Sequence, residues 1–252
     1  MPHITIKTPA EIEKLRQGGR ILAQVLARIA QAARPGISTL ELDRLARQLI
    51  KDAGATPSFE GYGEPPYPAA LCTSINEEVV HCIPGDKKIA DGDLIGLDCG
   101  IWHEGLCTDM AMTIPVGHVT EEIEKLIKVT RRALDIAISQ VKPGNTVGDI
   151  GAAVQDYVEK NGFSVVRKLV GHGVGYQVHE SPRIPNFGQA GQGEKLTPGM
   201  VLALEPMVNA GHYDIKVKDN QWDIVTADGS LSAHFEHTVV VTKTGAEVLT
   251  QL

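Results

Sequence analysis

Residues 35–54, PGISTLELDRLARQLIKDAG, and residues 143–162, PGNTVGDIGAAVQDYVEKNG, are one pattern written twice, 108 positions apart and without a gap. Pro35-Gly36 falls on Pro143-Gly144, Ser38 on Thr146, and Gly54 on Gly162. Between these marks Leu42, Leu45, Ala46, Leu49 and Ile50 fall on Ile150, Ala153, Val154, Tyr157 and Val158. Such spacings of three and four lay apolar side chains along one helical face. Ser38 or Thr39, and Thr146, are placed to accept from the unpaired amides of a helix start, and the two glycines to stop each helix. Upstream, Ile21, Val25, Leu26 and Ile29 recur as Val129, Ala133, Leu134 and Ala137, so each half opens with a long helix followed by a shorter one.

Strands rich in Val, Ile and Thr follow both helix pairs: about 69–75 and a hairpin over 93–115, then about 164–168, 200–208, 221–226, 231–242 and 245–250. This order predicts an α+β fold with helices covering one face of a curved, mostly antiparallel sheet. No Ser- or Pro-rich linker divides the halves, so residues 1–252 read as a single domain with pseudo-twofold symmetry. Its other sheet face, at the join, is where a site is expected. With 42% apolar residues the chain can bury a large core.

The opening MPHITIKTPAEIEKL has no signal-peptide or transit-peptide pattern, and no later stretch reaches the ~18 apolar residues of a membrane span, so a cytoplasmic protein without a membrane partner is expected. Cys72, Cys82, Cys99 and Cys107 show no CxxC pairing and fit buried thiols in a reducing compartment. A net charge of −7 argues against a general or sequence-specific nucleic-acid binder, which needs clustered cations to neutralise phosphates.

Four apolar stretches each carry one acid in their middle: GDLIGLDCG around Asp98, LCTDMAMT around Asp109, VLALEPMV around Glu205 and AHFEHTVVV around Glu236. An unpaired buried charge is costly, so four inward carboxylates imply cations between them. A hairpin turning at His103-Glu104 would set Asp98 directly opposite Asp109, a spacing that suits a shared ion. In LVGHGVGYQVHES, glycines on both sides of His172 clear space for one imidazole. Four carboxylates balance two divalent ions, and an oxygen-rich set with one imidazole favours Mn, Fe(II), Co or Zn.

These five residues match the ligand pattern of methionine aminopeptidases, and the chain resembles that family from about residue 3 to residue 250. IKTPAEIEKLRQGG, NEEVVHCIPG, GHGVG, LEPMVN and EHTVVVT carry the resemblance. It implies the pita-bread (creatinase/aminopeptidase) fold, a dinuclear metal hydrolase, and removal of the initiator methionine from nascent polypeptides whose second residue is small. It makes Asp109 and Glu236 bridging ligands, places His172 and Glu205 on the first metal, and puts Asp98 on the second. His81 and His179 become the histidines that contact the scissile amide, and Glu205 the proton shuttle. Tyr62, Tyr67, Cys72 and Trp222, the last on the strand 221–226, would line the methionine pocket. The likeness is to the short bacterial type I form, expected as a monomer with the ribosome as a candidate partner.

The chain departs from the family pattern at Cys82, where relatives have glycine, at Val178, where they often have an aromatic residue, and in GYGEPPYP, which holds extra residues. Two rivals share the fold: Xaa-Pro aminopeptidases or prolidases, which use the same ligands, and non-catalytic binding modules, which should have lost them. The chain's own Met1-Pro2 start would be a permitted substrate.

Overall fold

Both copies of the repeat form the helices that their spacing predicts. The computed structural model describes residues 4–252, and the Met1-Pro2 start lies outside them. Helix α1 spans Pro9–Ala32, α2 Thr39–Asp52, α3 Glu121–Gln140 and α4 Val147–Lys160. The short helices start identically: Ser38 Oγ accepts from the Glu41 amide at 3.2 Å while the Glu41 carboxylate accepts from the Ser38 amide at 2.8 Å. Thr146 and Asp149 repeat the exchange at 3.3 and 2.7 Å. These reciprocal caps satisfy two orphan donors at each helix start. Gly54 and Gly162 then leave the helices at φ 73° and 85°, a region open to glycine without a Cβ penalty.

The first half continues with β1 (Thr56–Pro57), β2 (Cys72–Ile75), β3 (Glu78–Val80), β4 (Leu94–His103) and β5 (Leu106–Pro115). The second half adds β6 (Ser164–Val165), β7 (Gly171–Gly173), β8 (Glu180–Ile184), β9 (Val201–Leu204), β10 (Met207–Asn209), β11 (Ile215–Val217), β12 (Ile224–Thr226), β13 (Ser232–His234), β14 (Glu236–Val241) and β15 (Ala246–Val248). A nine-stranded sheet runs β1-β4-β5-β14-β9-β7-β8, with β2 paired to β4 and β15 to β14. Two small sheets, β13-β10-β6 and β11-β12-β3, flank it. All the strand pairs are antiparallel, as expected from the sequence.

Each helix pair has its own core. Leu22, Leu26, Leu42 and Ile50 of the first pair pack with Leu71, Ile95 and Leu97, and Leu126, Ala133, Ile150 and Val154 of the second pack with Leu202, Leu204 and Val239. A third cluster, including Phe59, Tyr67, Cys72, Val178 and Val240, fills the join between the halves.

Three expectations are corrected. The β4–β5 hairpin turns at Glu104-Gly105, not His103-Glu104, so Asp98 pairs with Ala111 and Gly100 with Asp109. The cause lies in the turn: both central residues have positive φ, 48° at Glu104 and 81° at Gly105, and only the later position supplies a glycine for it. Residues 200–208 and 231–242 are not single strands. The first breaks at Glu205-Pro206 and the second at Phe235, and each continues in another sheet, with Met207 paired to His234. Proline has no amide hydrogen to give a ladder, which suits a strand that changes partners at Glu205. Finally, β12 begins at Ile224, so Trp222 belongs to the preceding turn and not to a strand.

Candidate active site

The two strand breaks bring Glu205 and Glu236 to the same place. Glu236 is the first residue of β14 and pairs with Ala111, which itself pairs with Asp98, so both acids share one row of the sheet. Asp109 stands two residues from that row, facing Gly100. The missing side chain matters: a Cβ at Gly100 would lie 3.3 Å from Asp109 Oδ1 and 2.2 Å from Ser58 Oγ. His172 of β7 pairs with Ala203 of β9, two residues before Glu205, and its Nε2 lies 3.4 Å from Glu205 Oε1.

The tautomer of His172 follows from its neighbour. Its Nδ1 lies 2.8 Å from the Gly173 carbonyl oxygen, which can only accept, so Nδ1 carries the proton and Nε2 keeps a free lone pair. Burial and neighbouring histidines hold the ring well below its ordinary pKa, at about 3, and therefore neutral. Ligand atoms of Asp109, His172 and Glu236 lie within 4.8 Å of one another.

The carboxylates lack what would satisfy them. Asp98 Oδ1 and Glu236 Oε1 are buried without a hydrogen-bond partner, as is Nε2 of His234, which lies 3.6 Å from Glu236 Oε2. Burial first, then mutual repulsion, drives the pKa values of Asp98, Glu205 and Glu236 upward, and burial alone raises Asp109 against the hydrogen bond from the Met110 amide. A site of four crowded acids, orphaned oxygens and the open Nε2 of His172 fits divalent cations. It would otherwise have to hold protons.

One cavity, about 630 Å³ including its open mouth, joins these side chains to the other site residues expected from the sequence. Tyr62, Tyr67, Cys72, His81, His179 and Trp222 all line it, together with Phe59 and Val80. Cys72 is paired directly with Asp98. The Tyr67 hydroxyl donates within its own neighbourhood, lying 3.0 Å from the Cys82 carbonyl, while Trp222 Nε1 donates to the Pro65 carbonyl at 3.1 Å. Gly63 lies against the Trp222 ring, where a Cβ would approach to 2.6 Å. His81, at φ 60°, and His179 stand across from this aromatic wall, and His179 Nδ1 is hydrogen-bonded to the Tyr62 hydroxyl at 2.6 Å. Desolvation holds both imidazoles below their usual range, His81 at about 4.

His234 is the titratable pocket residue that the sequence reading did not single out. Only its position two residues before Glu236, on the same face of an ideal strand, hinted at it.

The model for metallopeptidase family M24 matches residues 13–243. The chain belongs to metallopeptidase family M24. Its M24 relatives include a protein named methionine aminopeptidase from Clostridium perfringens, 49% identical over 98% of both chains. Another, named methionine aminopeptidase 1, from Bacillus subtilis, is 46% identical over 99% of this chain and 100% of the relative. The crystal structure of methionine aminopeptidase from Thermotoga maritima superposes with a TM-score of 0.96 at 43% identity, covering 99% of this chain and 100% of that one. The M24 fold seen here is thus the pita-bread architecture that the family resemblance implied, with the duplicated helix pairs and antiparallel sheet expected from the repeat.

Proposed function

We propose that this chain is a methionine aminopeptidase that removes the initiator methionine from nascent polypeptides whose second residue is small. The observation that carries the reading is the single cavity in which crowded, unsatisfied carboxylates meet an apolar, aromatic wall. The acids attract a substrate ammonium, and Tyr62, Tyr67, Cys72 and Trp222 take an unbranched apolar side chain. Kinship with proteins of that name supports the same substrate.

Asp98, Asp109, His172, Glu205 and Glu236 would hold two divalent cations, Asp109 and Glu236 from the middle of the cluster. Bound there, such ions supply Lewis acidity towards water and the scissile carbonyl. Mn, Fe(II), Co and Zn suit this donor set. Glu205 can take a proton from water and pass it to the departing amine, because its carboxylate borders both the ligand cluster and the histidine wall. His81 and His179, neutral and close to the same carboxylate, donate to the amide and to the oxygen that gains charge during attack. No serine or cysteine nucleophile is required: Cys72 is buried, and its thiol is pushed far up by burial and by Asp98.

The protein acts in this reading as a cytoplasmic monomer on chains leaving the ribosome. No helix among the described residues is long and apolar enough to cross a membrane. A panel of Met-Gly-Met, Met-Leu-Met and Ala-Pro-Ala tests the assignment. Release of methionine from the first alone is expected, and preference for Ala-Pro-Ala would transfer the chain to the prolyl-specific branch of the fold.

A further inference from the structure

A second cavity opens behind the histidine wall. It shares Val80, His81, His179 and Glu205 with the first, and its own lining includes Leu169, Val170, Lys168 and Arg183. The shared residues are those assigned to the bond that is cut. Once the methionyl side chain fills the aromatic cavity, the rest of the peptide has this second cavity as its way out.

The charges of the two spaces are opposite. The ligand cluster is acidic, whereas Lys168 and Arg183 are both exposed and have no carboxylate partner among the described residues. The neighbouring cation differs: Arg167 contacts Glu159 at 3.6 Å and stacks on the Tyr213 ring at 4.0 Å. Arg183 is fixed in place by its strand, since it pairs directly with His172 across β7 and β8. It therefore stands one strand from the ligand cluster while remaining open to solvent. In a chain of net charge −7, free cations at this mouth are a local departure from the general balance.

We infer that Lys168 and Arg183 form a downstream subsite that favours substrates with acidic side chains at the third and fourth positions and disfavours basic ones there. Placing an ammonium at one end and carboxylates a few residues on matches the acid-to-base direction of the joined cavities. An extended peptide advances about 3.3 Å per residue, so the residues just past the small second one are those that traverse the cationic lining. This inference rests on the proposed aminopeptidase activity.

The test compares Met-Ala-Glu-Glu-Ser, Met-Ala-Ser-Ser-Ser and Met-Ala-Lys-Lys-Ser with the metal-loaded enzyme at low ionic strength. Exposed charge pairs support an acidic-over-neutral ratio of kcat/KM of about fivefold, carried mainly by KM. The ratio should fall to near one in the double variant Lys168→Gln/Arg183→Gln and in 0.5 M salt, and Arg183→Lys should keep most of it. Inhibition by the product peptides Ala-Glu-Glu-Ser and Ala-Lys-Lys-Ser should rank in the same order. Equal handling of the three peptides, or a ratio that survives the double substitution, overturns the subsite while leaving methionine release intact. Failure to release methionine from any peptide overturns the activity, and the subsite with it.

Discussion

Asp98 and Glu205 are counterparts in the two halves of the chain, 107 residues apart. Each lies six residues after a glycine of positive φ, Gly92 at 93° and Gly199 at 91°, and each ends the same run of apolar strand residues, Ile95-Gly96-Leu97 and Leu202-Ala203-Leu204. The bridges that pin the helix caps, Ser38 to Lys88 and Thr146 to Lys195, join cap residues 108 positions apart to strand-side residues 107 positions apart. The repeat therefore loses one residue between helices and strands. Two of the acids at the site thus occupy equivalent positions of the repeat.

Glu205→Gln should leave the fold intact, because the amide fills the same volume and the backbone carbonyl of residue 205 still accepts from Asn186 Nδ2, now at 2.9 Å. Turnover of Met-Gly-Met should fall by about 10²–10⁴-fold with the loss of a general base. Steady-state kinetics on protein with matched metal content checks it. Near-native kcat would remove the proton-transfer role.

Stripping divalent cations should lower the melting temperature and not merely the activity. The four acids then face one another across the cavity, with Asp98 Oδ1 and Glu236 Oε1 unsatisfied. Re-adding Mn²⁺ at a hundred times its dissociation constant should restore about 2.7 kcal/mol. Thermal scans with and without chelator give the answer, and superimposable curves would argue against cation binding by these residues.

Lys7→Met should be strongly destabilising. The Lys7 ammonium is fully enclosed and 2.6 Å from Glu180, which lies next to His179 and also accepts from the Gln177 amide at 3.0 Å. Removing one partner of a buried pair costs about 3–5 kcal/mol. Lys7→Met/Glu180→Gln, which removes both charges, should recover part of the loss in urea unfolding. Additive losses would mean that the pair is not coupled.

Acid should weaken the hold of α1 on the second half. The Tyr176 hydroxyl, followed by the Thr8 amide and hydroxyl, donates to Glu11 and holds its carboxyl at about 2, down from 4.5. A depressed carboxyl contributes stability that is complete above its unfolded pKa and is lost as pH falls through the folded one. The loss should therefore appear between about pH 4.5 and 2, where unfolding curves of Glu11→Gln should be flatter than those of the unsubstituted chain. Parallel pH profiles for the two proteins would refute the link.

How far the sequence could be read depended on which residues carried the signal. Helix periodicity and caps made α2 and α4 legible to within a residue or two, because Ser38, Thr146, Gly54 and Gly162 act locally. The acids were legible because a carboxylate in an apolar run contradicts its surroundings. Register was not: placing the turn one residue early, at His103-Glu104 instead of Glu104-Gly105, shifted the pairing by two and put Asp98 opposite Asp109 instead of Ala111. The strands β7 and β8 were not predicted at all, since glycines and Pro182 hide them from propensity. His234 escaped notice because a buried histidine looks ordinary until its Nε2 is seen to lack a partner.

The breaks at Glu205-Pro206 and Phe235 have a kinetic implication. Each carboxylate is anchored at a hinge between sheets, and the other acids of the cluster, Asp98 and Asp109, come from the opposite half. Neither half can assemble a competent centre by itself, so hydrolytic power must emerge abruptly with the last long-range pairing, and a half-folded chain is catalytically silent.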